Sequence, residues 1–211
     1  MTHPTSSIRL HGFPISGHCH RVQLMLSLLG LPFDSVTVDL PAGAHKQPAF
    51  LARNVFGQVP VLEDGGLTLA DSNAILVYLA LTYDASRRWL PASPAVQAEV
   101  QRWLSVAAGP LAYGPAAARV AVLFGRPDNP AARTAAVQLF TTMEQHLEGR
   151  DWLATDHPTL ADVAIYSYTA HAPEGAVSLA PYPRLRGWLA RVQALPGFVG
   201  MVASPVPPAL A

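Results

Sequence analysis

Apolar and polar positions alternate over Ile8-Arg9-Leu10-His11, which predicts a short strand. A turn follows through Gly12 to Gly17, with Pro14 and Ser16 inside it. The period then changes. Val22, Met25, Leu26 and Leu29 fall at i, i+3, i+4 and i+7, so a helix is predicted from His18, stopped by Gly30 and Pro32. Alternation returns at Val36, Val38 and Leu40, a second strand, and Pro41 to Pro48 reads as a loop. Val59-Pro60-Val61-Leu62, Asp64-Gly65-Gly66 and Leu67-Thr68-Leu69 predict a hairpin. Pro60 cannot donate to a ladder, so it belongs at a strand start or edge. Asp71-Ser72-Asn73 supplies N-cap chemistry to a helix running through Ala74-Ile75-Leu76-Val77-Tyr78-Leu79.

The order strand, helix, strand, loop, hairpin, helix is a βαβ unit followed by ββα. It predicts a four-stranded mixed sheet with helices on its faces, a thioredoxin-like α/β domain over residues 7–83. Residues 84–93 read as a linker. Beyond them no strand pattern is found, and residues 94–204 are expected to form an all-α helical domain. Val96, Val100, Trp103 and Leu104 keep helical spacing, Leu111 to Phe124 is Ala-rich, and Pro130 to Leu147 is helical up to Gly149. Thr159 with Asp162 three residues on is a capping box with Asp in place of Glu or Gln. Leu185 to Leu195 is a last helix, closed by Pro196-Gly197, and residues 205–211 form a loosely held tail.

Composition narrows the function classes. The 211 residues are 50% hydrophobic and 13% charged, which argues for packed cores and against long disorder. Lys+Arg and Asp+Glu are 14 each with no basic run, so no positive face for nucleic acid is expected. No apolar stretch is read as reaching the roughly 18 residues of a membrane span, and the polar start, Met1 to Ser7, is not a signal peptide. Cys19 is the only cysteine, which excludes a disulfide framework and fits a reducing, cytoplasmic compartment.

Ser16, between a strand and a helix, has two readings: a plain N-cap, or a hydroxyl placed where free N–H groups favour an anion. His11, His18, Cys19 and His20 are spaced too poorly for a metal site, and no metal is expected. Cys19 reads either as a buried, inert thiol or as one activated by a helix start. Asp71-Ser72 alone is a cap, and Gln58-Val59-Pro60 alone is a strand start.

Taken together, Gly12-Phe13-Pro14-Ile15-Ser16-Gly17, Gly43-Ala44-His45-Lys46-Gln47-Pro48, Phe56-Gly57-Gln58-Val59-Pro60 and Ala70-Asp71-Ser72-Asn73-Ala74-Ile75 resemble the cytosolic glutathione transferases, closest to the serine-type phi, theta and bacterial forms. Thr159-Leu160-Ala161-Asp162-Val163-Ala164 resembles the helical domain of the same family, and the likeness covers about residues 8–200. It implies that Ser16 is the catalytic residue, its hydroxyl favouring the thiolate of glutathione. It implies a cis Val59–Pro60 bond and a Val59 backbone paired with the tripeptide. It assigns Ser72 to the γ-glutamyl carboxylate, Asp71 to the α-amino group, Gln58 to the peptide backbone, and His45 and Lys46 to the glycyl carboxylate. His18, His20 and Val55 depart from the family pattern, the last standing where proline is usual.

By family position, Phe13, Ile15, Trp103, Ala107, Tyr113 and Arg119 are candidates for a second-substrate pocket expected between the domains; each reads equally as core packing, and Arg119 is the more telling because an unpaired buried charge is costly. The resemblance implies an enzyme that conjugates glutathione, its co-substrate, to a small hydrophobic electrophile, with a weak peroxidase side activity, acting as a homodimer. Two other functions stay open: a non-enzymatic glutathione- or ligand-binding protein, and a thiol reductase using Cys19.

Overall fold

A computed structural model describes residues 7–208. It divides the chain into two compact units. One holds the residues through Arg87 together with Pro196–Val202; the other holds Arg88–Leu195 and the residues from Ala203 on. The boundary falls inside the expected linker, but the stretch after the last helix returns to the first unit. That return is pinned by a bond from Ser27 Oγ to the Gly197 carbonyl (2.7 Å) and by one between His20 Nε2 and the Val199 carbonyl (2.9 Å). Residues 1–6 of the expected polar start and 209–211 of the expected tail lie outside the described residues.

In the first unit, strands β1 (Ile8–Gly12), β2 (Phe33–Thr37), β3 (Val61–Asp64) and β4 (Leu67–Ala70) form one sheet in the order β2-β1-β3-β4. β1 runs parallel to β2 and antiparallel to β3, and β3 and β4 form the predicted hairpin. Helices α1 (Gly17–Leu28) and α3 (Ser72–Tyr83) pack against each other, and a short helix, α2 (Pro48–Leu51), fills the loop before β3. Ile8, Leu10, Val61 and Leu62 of the sheet are buried, as are Val22, Met25 and Leu26 of α1 and Ile75, Leu76 and Leu79 of α3. β2 begins and ends earlier than the alternation suggested. It is an edge strand exposed over most of its length, and Val38, just past it, is the side chain that reaches the core, packing with Phe50 and Val61.

The second unit is helical: α4 (Pro94–Ala108), a π turn over Ala112–Ala116, α5 (Ala117–Leu123), α6 (Pro130–His146), α7 (Leu160–Ala170) and α8 (Pro183–Gln193). Pro115 lies inside the π turn; it lacks an N–H and crowds the preceding carbonyls, so the ladder widens there rather than breaking. A Cβ on Gly114 would meet the Ala136 backbone nitrogen at 2.9 Å, so only glycine lets α6 approach this closely. α7 is buried from Leu160 to Thr169, the pattern of a central helix. Its capping box forms as expected, with Asp162 accepting from the Thr159 amide at 2.9 Å.

One expectation needs correction. The 30-residue helical run Pro94–Leu123 is, by length and composition, long and apolar enough to cross a membrane. In this structure it packs against α6 and α7 and carries the buried Arg119.

Candidate functional site

A cleft of about 700 Å³ opens in the first unit. Of the residues singled out from the sequence, His45, Lys46, Gln58, Val59, Pro60, Asp71 and Ser72 line it. His18, Leu40, Asn54, Phe56, Gly57 and Ala70 complete the wall. Ser16 is not on the wall; it is the N-cap of α1, two residues before His18, which is.

Local chemistry builds each side. Asn54, buried, holds the loop before β3: its Nδ2 donates to the Gln58 carbonyl (2.9 Å) and its Oδ1 accepts from the Phe56 amide (3.1 Å). Gly57 sits at φ +56, and a Cβ there would lie 2.7 Å from the His45 carbonyl oxygen, so the loop can close on His45 and Lys46 only with glycine. The Lys46 ammonium donates to the carbonyls of Phe56 (3.2 Å) and Gly57 (3.0 Å), which fixes its charge at the cleft rim. His45 Nδ1 is buried and has no hydrogen-bond partner among the described residues. The Val59–Pro60 peptide is cis.

The start of α3 forms another part of the wall. Asp71 adopts φ +73, and its Oδ1 accepts from the amides of Asn73 and Ala74, both at 2.9 Å. A non-glycine residue in this region carries strain of about 1–3 kcal/mol, which the two capping bonds offset. The Ser72 amide is left without a partner among the described residues, at the positive end of a 12-residue helix. Ser16 Oγ accepts from the Cys19 amide at 3.4 Å, a long cap bond that leaves the hydroxyl hydrogen to donate elsewhere. The cleft wall thus offers a cation, an imidazole, a helix start and a carboxylate.

Sequence comparison gives the family. Glutathione S-transferase 3 of Zea mays is 36% identical over 215 residues, covering 95% of this chain and 96% of that protein. The chain belongs to the glutathione S-transferase family. The family profiles described as "Glutathione S-transferase, N-terminal domain" and "Glutathione S-transferase, C-terminal domain" match residues 15–82 and 107–196. The glutathione S-transferase GstB of Escherichia coli K12 is 30% identical over 94% of this chain and 99% of its own. Among solved structures, the glutathione S-transferase of Pseudomonas fluorescens superimposes with a TM-score of 0.88 at 34% identity, covering 93% of this chain and all of that one. A glutathione transferase homologue from Drosophila mojavensis, solved with bound glutathione, gives 0.82 at 26% identity over 90% and 89% of the two chains. The protein is a glutathione transferase with the family's fold.

The remaining candidates of this glutathione transferase scatter. His11 pairs with Glu63 (3.0 Å) and His20 bonds the Val199 carbonyl; among the described residues no three His, Cys, Asp or Glu converge. Cys19 is buried, its sulfur accepting the Phe13 amide at 3.4 Å, and burial pushes its thiol pKa up. A raised pKa is the reverse of what a thiolate nucleophile needs, so the reductase reading finds no support. Phe13 and Ile15 are half-buried beside Ser16. In the helical unit, Trp103 and Ala107 are buried on α4, and the Tyr113 side chain is exposed. Arg119 is corrected from substrate candidate to core ion pair: its Nε donates to Glu174 at 2.6 Å, with both side chains buried. Glu174 also accepts from the Ser204 amide at 3.1 Å, which holds the chain just before the expected tail.

Proposed function

We propose that glutathione binds extended along this cleft, that Ser16 stabilises its thiolate, and that the thiolate attacks a small hydrophobic electrophile. The observation that carries the reading is the convergence of seven residues around one cleft. Their charges oppose those of the tripeptide group by group. His45 and Lys46 face the glycyl carboxylate. Gln58 and the Val59 backbone face the peptide. Ser72 and the start of α3 take the γ-glutamyl carboxylate, and Asp71 takes the α-amino group. Ser16 Oγ keeps its hydrogen for the sulfur. A hydrogen bond to a charged group contributes about 1.5–3 kcal/mol, which lowers the thiol pKa by roughly one to two units. The proton goes to solvent, the carbon–sulfur bond forms, and the electrophile expels a leaving group or takes a proton from water. Phe13 and Ile15, flanking Ser16, are the side chains proposed nearest the electrophile. The setting is a reducing cytoplasm.

Calorimetry tests the first step. Glutathione is expected to bind between about 1 µM and 1 mM; no heat and no thermal shift at several-fold higher concentration would contradict the reading. Turnover is then read with an activated aryl halide, an epoxide and an unsaturated carbonyl, and an organic hydroperoxide reads the peroxidase side activity.

The working form is proposed to be a homodimer. On α3, Ala74, Val77, Tyr78 and Leu81 lie at i, i+3, i+4 and i+7, and all are exposed or half-buried. Val55, before β3, is 80% exposed. An apolar stripe at helical spacing needs a partner surface, and a second copy supplies one with two-fold symmetry. Light scattering should give twice the 22.5 kDa chain mass, and Leu81→Asp with Val55→Asp should return it to the single-chain value. A wild-type particle of single-chain mass at micromolar concentration would refute the dimer.

A further inference from the structure

One group on the cleft wall, the imidazole of His18, has no part in the scheme above, and near it lies a guanidinium with no exposure at all. Arg21 projects from α1, and its Nη1 donates to Ser72 Oγ at 3.3 Å and to Asn73 Oδ1 at 2.8 Å. Both acceptors belong to the first turn of α3. A buried cation is thus seated at the positive end of a helix, where the macrodipole disfavours it. The Asp71 carboxylate caps the same turn, but it is exposed and engaged with two amides. An anion bound at Ser72 would relieve the conflict, being attracted by the helix start and by the guanidinium together.

We propose that Arg21 is a positioning residue that charges the anion-binding end of the cleft through Ser72, so that the α-carboxylate of a γ-glutamyl group is held against a fixed, dry cation. The proposal rests on the reading that Ser72 and the start of α3 take that carboxylate. His18 fits as the neutral member of the cluster. Its Nδ1 stands 3.5 Å from Ser72 Oγ. Burial, and then the charge of Arg21, hold the imidazole pKa down to about 3. At neutral pH the positive charge of this cluster therefore resides on Arg21 and not on His18. Buried charge acts more strongly than exposed charge because solvent screens it less.

The test titrates the full chain by calorimetry with S-methylglutathione and with the analogue whose glutamyl α-carboxylate is replaced by hydrogen. The readout is the ratio of the two affinities in one protein, which is independent of the fraction folded. Wild type is expected to bind the analogue about 30- to 100-fold more weakly, and Arg21→Gln to narrow the gap to roughly threefold. Asn73→Asp, which sets a carboxylate at the Arg21 guanidinium without changing side-chain size, is expected to narrow it as well, and serves if Arg21→Gln does not fold. A wild-type gap below about threefold would overturn the carboxylate assignment at Ser72, and the proposal with it. A large wild-type gap that persists in the variants would leave that assignment standing and overturn the role of Arg21.

Discussion

Replacing Ser16 by alanine should lower turnover by roughly ten- to a thousandfold while glutathione affinity stays within a few fold. The asymmetry follows from the geometry. Ser16 lies off the cleft wall proposed to meet the tripeptide's charges, and its oxygen already accepts the Cys19 amide. What the hydroxyl adds is one donated bond whose strength grows as the sulfur becomes charged. That bond acts on the reacting state more than on ground-state binding. Cys19→Ser is the matched control. Its sulfur is buried, accepts the Phe13 amide, and has its pKa pushed up, so conjugation should change by no more than a few fold. Near-native activity in Ser16→Ala would reduce Ser16 to a helix cap.

The largest stability effect is expected at Asp162. Its carboxylate is fully buried and accepts from the Leu153 amide (3.1 Å), the Trp188 indole (2.8 Å) and the Thr159 amide (2.9 Å). These bonds tie the start of α7 to the preceding loop and to α8. Asp162→Ala would leave several buried donors unsatisfied, at about 1–3 kcal/mol each. The total should be roughly 3–5 kcal/mol, a fall in Tm on the order of 10 °C. Thermal unfolding followed by circular dichroism measures it; a fall below about 2 °C would show that water replaces the carboxylate at little cost.

Much of this was legible in the chain. Strand alternation, the Asp64-Gly65-Gly66 turn and the caps at Asp71 and Thr159 are local signals, and the elements they foretell are present. The capping box could be read directly because its partners are three residues apart. Other features were hidden because their causes are distant in sequence. The Val36–Val38–Leu40 alternation placed β2 too late: the ladder partners are set by β1, and Val38 is buried by Phe50 and Val61 from elsewhere in the chain. Arg119 looked like a charge in need of a ligand because Glu174, its partner, is 55 residues away. Arg21 and Ser72 are 51 residues apart, and a single arginine in an amphipathic helix gives no sign that it will be fully buried. Asn54 stands outside every periodic segment and carries no local signal of the two hydrogen bonds by which it shapes the cleft. The return of Pro196–Val202 to the first unit has no pattern beyond its turn residues.

The account turns on Ser16 acting on the sulfur of bound glutathione, and that step is visible without any electrophile. The ultraviolet absorbance of the enzyme-bound thiolate, titrated against pH, gives the pKa of the thiol in place. In the wild-type protein it should lie about one to two units below that of free glutathione, and in Ser16→Ala it should return most of the way. Equal values in the two proteins, with glutathione bound to both, would contradict the role given to Ser16.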